Sequence, residues 1–491
     1  RVSREDSPEV YATAQCNLGV TFGQQGNVVE AIKSYQRVSR EDSPEVYATA
    51  QCNLGVTFGQ QDNVEKAIAA CQQVRREDSP ELYTKAQLYL GVTFEQQGNV
   101  EEAIEAYQNS SDKYYYKSIS SIKILQCPKE YSGNLQEIYE TISNLMEILL
   151  VSPTNNYESK VAHYTRASTA WKMIGEQPAS AFRLNTIKNV NDPMEGRVLH
   201  QYLVKSCEGS NVFNITDENT LGHELAQVLI SCFTFNHDSL NQFRLYGKEN
   251  EREASGVSLV FQSDFFDSNY NVWSGFINNK SQAEISNKIQ ENANEENKPQ
   301  TAALTKLPLF RCIYLDPDTG YLRLACRDAI TFYREEYAGN PASDISELIG
   351  KAKDKWKIYQ NNIAEKEEKI NTEFNKIISN IKKLKKPSDA KTAKQLAETL
   401  NFILQPLQYL IKHAAFQEEQ ECRMIYITNL SDEKIKMDWG SKQVFVEYEP
   451  KIKDYVDKIY LSPGARMYED FFRKELGSQA VRISTNPFRN K

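Results

Sequence analysis

The stretch VSREDSPEVYATAQCNLGVTFGQQ at Val2–Gln25 recurs unaltered as Val38–Gln61, and a diverged copy follows around Arg76–Gln97. Tyr11, Tyr47 and Tyr83 mark the period, 36 residues. Self-similarity at such a spacing signals stacked supersecondary units that bury a continuous core between neighbours. Within each unit SPE-x-Y-x-x-A-Q-x-x-LG-x-x-F predicts a first helix. Pro8, Pro44 and Pro80 suit its first turn, and the serines before them suit an N-cap. A Gln-rich turn holding Gly26, Asp62 or Gly98 separates it from a second helix such as Val28–Val38.

These features resemble tetratricopeptide repeats. The first-helix Leu-Gly pair stands as Leu18-Gly19, Leu54-Gly55 and Leu90-Gly91, and the small residue of the second helix as Ala31, Ala67 and Ala103. The spacing exceeds the usual 34 of that family, which implies slightly longer helices or turns. The resemblance implies an all-α solenoid that binds a protein or peptide partner. Residues 1–110 carry 9 basic and 16 acidic side chains, a net of −7 out of −8 for the whole chain. An acidic solenoid surface suits a basic partner segment, although charge also serves solubility. Asn134–Leu150 keeps helical periodicity through Leu135, Ile138, Ile142, Leu145 and Leu149, so residues 111–155 are expected to cap the solenoid. Ser152-Pro153-Thr154-Asn155-Asn156 marks a boundary.

Composition narrows the rest. A chain of 491 residues, 40% apolar and 25% charged, has material for about three cores and is not a disordered polymer. The negative balance makes nucleic acid an unlikely general partner. Nine cysteines without a C-x-x-C pair argue against a disulfide framework and a structural zinc site. No apolar run reaches the roughly 20 residues that span a bilayer. These features predict a cytoplasmic protein with no membrane contact. The chain begins at Arg1 inside a repeat and reads as a fragment.

Beyond residue 157 the pattern becomes α+β. Strands are expected at Lys160–Thr165, Leu229–Thr234, Gly256–Phe261, Arg423–Thr428, Gln443–Tyr448, Lys458–Leu461 and Ala480–Ile483. Helices are expected at Ser168–Gly175, Gly196–Lys205, Asn219–Val228 and Ala329–Glu336. Residues 278–303 read as a polar break. Asp316-Pro317-Asp318-Thr319-Gly320 reads as the turn of a hairpin joining Leu309–Leu315 to Tyr321–Ala325. Residues 344–386 form a long helix with apolar positions often seven apart, as in a coiled coil, and Ala390–Ala415 returns as a second helix bent at Pro406. Their Lys-rich stretch 351–386 has 11 Lys against 5 acidic residues, yet no aromatic platform for nucleic acid accompanies it. The expected organisation is therefore α+β and multidomain. Repeats occupy 1–110 and capping helices 111–155. An α+β domain is split into 157–343 and 417–491 by a helical-hairpin insertion at 344–416.

His163-Tyr164-Thr165, Asn191-Asp192-Pro193-Met194-Glu195, Cys232-Phe233-Thr234, Phe243–Gly247, Gly256–Phe261 and Glu419-Gln420-Glu421-Cys422-Arg423 stand in that order. The series resembles a poorly characterised bacterial family of unknown function and, remotely, ADP-ribosyltransferases. That likeness implies NAD as cofactor. Glu421 would sit beside the scissile bond, His163 against the nicotinamide ribose, and Tyr246 or Phe243 near the nicotinamide. Tyr164, Arg183 and Phe233 would line the cofactor pocket. A carboxylate stabilises the ribose cation left by departing nicotinamide, and Glu419 would orient or deprotonate an acceptor. Glu419 and Glu421 share a face if both lie in a strand.

Other chemistry is poorly supported. The five histidines show no metal-ligand spacing, no phosphate loop or nucleophile elbow is present, and Cys232 with His237 is more simply a buried thiol. Two classes remain open. One is a bacterial effector or defence protein whose C-terminal domain is an NAD-dependent ADP-ribosyltransferase (a glycosyl-group transferase) or NAD hydrolase. The other is a non-catalytic protein-binding scaffold.

Overall fold

The computed structural model describes residues 3–111, 114–152, 157–175, 178–189, 192–208, 226–247, 254–267, 272–273, 275–276, 303–338 and 345–488. Two compact units emerge, the first built on residues up to Gln136 together with Phe276, and the second on the other described residues from Glu137 onward, so one division falls within the helix Lys129–Leu149.

In the first unit α1 (Pro8–Gln24) and α2 (Val28–Gln36), α3 (Pro44–Gly59) and α4 (Val64–Gln72), and α5 (Pro80–Gln97) and α6 (Val100–Ser110) are helix–turn–helix pairs. Each first helix opens on the expected proline, and Ser79 caps α5 through its side chain while Ser7 and Ser43 do not. Asn27 and Asn63, unforeseen, cap the second helices. Turn residues Gly26 and Gly98 have φ of +75° and +78°, and Asp62 accepts the same left-handed geometry at +56°. The close helix contacts lie where the Leu-Gly pairs predict. A Cβ on Gly55 would stand 2.4 Å from the Cys71 sulfur, and one on Gly19 or Gly91 would enter the ring of Tyr35 or Tyr107. Ala31, Ala67 and Ala103 are buried. Ala12, Cys16, Tyr35 and Val38 of the first repeat pack with Ala50, Leu54 and Phe58 of the second. Two further helices follow, Tyr115–Gln126 and Lys129–Leu149.

The second unit is α+β. Among the described residues ten strands form one sheet, eight of them in the order β10 (Lys436–Asp438), β11 (Gln443–Tyr448), β2 (Phe182–Thr186), β3 (Ala226–Thr234), β1 (Lys160–Arg166), β4 (Gly256–Gln262), β12 (Val456–Leu461) and β13 (Val481–Ile483). β9 (Glu421–Asn429) runs antiparallel along β3 and takes β5 (Phe310–Arg311) on its other edge. The DPDTG turn joins β6 (Ile313–Leu315) to β7 (Leu322–Leu324) as the expected hairpin. Two long helices are present, Ile345–Lys383 and Ala390–Gln408, with Pro406 inside the second.

Two readings need correction. The second long helix does not reach Ala415: Ile411–His413 is β8, parallel to β6, because one buried apolar residue and the neighbouring sheet edge outweigh continuation past Pro406. The expected helix at Asn219–Val228 also fails where it is described. Gln227 and Val228 belong to β3, whose pairing with β9 extends the apolar run that follows, and residues 219–225 lie outside the described residues. The polar break at 278–302, Asn191, and His223 also lie outside the described residues.

Candidate functional site

β9 carries two charged side chains, Glu421 and Arg423, and both are buried. Register fixes the faces: Cys232 lies opposite Arg423, Thr234 opposite Glu421, and Ala162 opposite Thr234. Cys232, Thr234, Glu421 and Arg423 therefore share one face, and Phe233 and Cys422 the other.

On the first face Glu421 is saturated. Its Oε1 accepts from Arg423 Nε at 2.6 Å, and its Oε2 from Lys412 Nζ at 2.6 Å. Lys412 also donates to Glu419 Oε2 at 2.5 Å, and Arg423 makes a two-pronged pair with Glu195 at 2.5 and 2.8 Å. The result is a chain of alternating charge, Glu195–Arg423–Glu421–Lys412–Glu419. Burial opposes ionisation of Glu421, but Arg423 and Lys412 outweigh it and hold its carboxyl below the usual range. Glu419 moves the opposite way, raised by burial and by the Glu421 charge against the pull of Lys412. Burial disfavours the Lys412 cation, yet its carboxylates keep it protonated. Two carboxylates around one ammonium thus have their proton affinities pushed apart, the arrangement from which acid–base pairs are built.

The strand expected to place Glu419 and Glu421 on one face does not reach Glu419, and the two carboxylates are brought together by other means. Glu419 ends a short 3-10 turn and Gln420 is left-handed, φ +47°, before the strand begins at Glu421. Lys412, arriving on β8, brings the two carboxylates together. The Glu419 carbonyl is held by Thr234 Oγ1 at 2.6 Å and by Gln242 Nε2 at 3.1 Å. Gln242 belongs to α11 (Leu240–Tyr246), whose last residue Tyr246 is 37% exposed. Burial raises the Tyr246 hydroxyl pKa, and the Glu419 and Glu421 charges raise it further. Tyr246, Glu419 and Glu421 therefore occupy one neighbourhood.

The remaining expected residues do not join them. His163 points to the opposite face, where its ring lies 5.1 Å from Phe182 and 5.5 Å from Phe233. Its Nδ1 donates to the Cys232 carbonyl at 2.8 Å, and burial lowers its pKa, so at neutral pH it is an uncharged core histidine. Phe233 belongs to that cluster with Phe261, Phe265 and Phe266. Tyr164 shares the carboxylate face of β1, but its hydroxyl is consumed by donating to the Asn236 carbonyl and accepting from Ser239 N–H, both at 2.8 Å. Phe243 packs edge-on against it at 4.9 Å and is fully buried. Arg183 alternates away from buried Phe182 and lies over the Phe445 ring. The Cys232 thiol is directed at Glu421 and burial pushes it well up, while His237 is occupied with the Lys160 carbonyl and Glu335. Those two form no nucleophile–base pair.

Lys412, Arg423 and Glu195 were not foreseen as one group. Lys412 fell in a segment read as helix, and only Asn-Asp-Pro-x-Glu and Glu-x-Glu-x-Arg hinted at the others. The opposite face of β9 holds a second cluster: Arg311 clasps Glu158, which also accepts from Tyr359 at 2.6 Å. A cavity of about 640 Å³ lies elsewhere, along Ala329, Ile330, Tyr333, Arg334 and Tyr337.

The tetratricopeptide repeat family model matches residues 16–81 and 52–112, which makes the N-terminal helix pairs tetratricopeptide repeats. Repeats of this kind point to protein–protein interaction. No curated protein matches the chain. No described helix is long and apolar enough to cross a membrane.

Proposed function

We propose that the repeats recruit a protein partner through a basic segment, and that the second unit acts on NAD at the Glu419–Glu421–Tyr246 neighbourhood, transferring or releasing ADP-ribose. The observation that carries the catalytic part is the carboxylate pair around Lys412, with its two proton affinities pushed apart beside a partly exposed tyrosine. The roles differ from those implied by the family likeness. Both Glu421 oxygens are engaged by cations, so Glu421 holds the field of the site. Glu419, with one oxygen committed to Lys412, is the carboxylate that meets the ribose or the acceptor. NAD, when bound, supplies the glycosidic bond and nicotinamide as leaving group. Tyr246 offers a ring for stacking.

The test is NAD consumption by the full chain, with and without lysate as a source of partner and acceptor. Wild-type turnover that falls at least 100-fold in Glu419→Gln, with an unchanged thermal midpoint, supports the reading. A second reading is a non-catalytic scaffold, favoured by His163 lying on the far face of the sheet and by Glu421 being only 3% exposed. No NAD turnover or binding in any of these conditions selects it.

A further inference from the structure

The long sheet ends at β10, which pairs with β11 on one side and, among the described residues, with no strand on the other. Register sorts the side chains between the two faces. Met437 lies opposite Val444, and Val446, next on that face of β11, lies opposite Leu184. Leu184 and Val446 are fully buried, Val444 is half-buried, and Met437 is 58% exposed. The apolar layer of the sheet therefore runs out uncovered at this edge. Trp439 stands just beyond it, 84% exposed, in a turn that Asp438 fixes by accepting from the N–H groups of Gly440 and Ser441 at 3.0 and 3.2 Å. On the other face Lys436 pairs with Glu447 at 2.6 Å and Asp438 with Arg183 at 3.6 Å. Natural sheet edges are commonly blunted by lysines or proline. This one instead carries one charge of each sign, placed symmetrically about an exposed methionine, in Ile435-Lys436-Met437-Asp438-Trp439.

We propose that this edge joins the same edge of a second copy of the chain, β10 antiparallel to β10 about a two-fold axis at Met437. The segment is self-complementary in that register. Met437 faces its own counterpart, Lys436 of each copy faces Asp438 of the other, and Ile435 of each comes beside Trp439 of the other. A register centred on Lys436 or on Asp438 would set like charges directly opposite, which destabilises a sheet. A slip of one residue would place the apolar face of one copy beside the polar face of the other. Main-chain hydrogen bonds along the joined edges supply the recognition, as when any extended segment extends a sheet. The apolar layers of the two sheets become continuous, and because the contact is isologous each pairing occurs twice. Three-residue strands make a small contact, so the association is reversible and in the micromolar range. It is independent of the NAD reading and of what the repeats bind.

Sedimentation equilibrium of the full chain from about 1 to 300 µM is expected to show a reversible monomer–dimer equilibrium. Since Met437 faces itself, one position tests the axis. Met437→Lys and Met437→Asp each set like charges at the two-fold, and each should weaken self-association at least tenfold. Mixed in equal amounts the two variants should dimerise again, lysine against aspartate. Trp439→Ser, in an exposed turn, should weaken association severalfold with an unchanged thermal midpoint, so the test does not depend on how the Met437 variants fold. A chain that stays monomeric throughout the range overturns the proposal. So does a dimer that both Met437 variants and Trp439→Ser leave unchanged, which would use another surface. A mixture of folded Met437 variants that dimerises no better than either alone overturns it as well.

Discussion

At the scale of single residues, Glu421 shows why burial and charge must be weighed together. Removing one partner of a buried ion pair strands the other, so Glu421→Gln should cost about 3–5 kcal/mol in chemical denaturation by leaving Arg423 and Lys412 short of a counter-charge. Loss of activity in that variant would therefore confound folding with chemistry, and Glu419→Gln is the informative substitution. Protonation makes the same point. Glu421 and Glu158 are held below the ordinary carboxylate range in the fold, against their burial, by Arg423 with Lys412 and by Arg311. Their stabilisation is complete above the unfolded carboxylate pKa of about 4.3 and is lost as pH falls below it. The thermal midpoint should be flat from pH 7 to 5 and drop steeply below 4. A midpoint unchanged down to pH 3 would contradict this. Lys366 behaves inversely: burial, then Arg311, lowers its pKa to about 8. Below pH 8 the fold carries an unfavourable charge there, and stability should rise between pH 8 and about 10.4 as the folded form sheds its proton first. Lys366→Met should raise stability at pH 7 and flatten that rise; an equal rise in the variant would exclude Lys366 as its source.

At the scale of elements, the repeat seams set the most stringent constraints. Ala67→Leu should overpack the α3–α4 contact and cost roughly 1–3 kcal/mol in denaturant unfolding, with helix loss beginning in the adjoining repeats. A change within a few tenths would mean the seam has slack that the closeness of Gly55 to Cys71 does not suggest. These contacts were legible because a repeated Leu-Gly and a repeated Ala leave few alternatives. Strands with β-branched and aromatic runs, such as β1, β4 and β11, were legible for similar reasons. β8 was not: Ile411-Lys412-His413 follows a helix with no strong stop, and only pairing with β6 makes it a strand. The candidate site suffered from that miss, since Lys412 is what joins Glu419 to Glu421. His163 was misplaced for another reason. A histidine in an apolar strand can face either side, and the face depends on registers with β3 and β4 that are long-range.

At the scale of the whole molecule, two units with different chemistry share one chain. The first is acidic and repetitive, suited to holding a partner. The second buries two charge clusters against opposite faces of one strand, a desolvation cost that the ion pairs within each cluster offset. Lysines of the Ile345–Lys383 helix are largely exposed, consistent with the expense of burying unpaired ammonium groups. If the partner segment is basic, its capture by the full chain should weaken as salt rises from 0.05 to about 0.5 M, the range over which surface charge becomes screened. Salt-independent capture would point to an apolar contact instead. The central claim, a catalytic carboxylate at Glu419, is tested most directly by the rate of nicotinamide release from NAD by the full chain with its partner present. The account predicts measurable wild-type release, lost in a folded Glu419→Gln protein and retained in His163→Ala, apart from the stability that the second change removes. Undiminished release from folded Glu419→Gln, or release abolished in a folded His163→Ala, would contradict it.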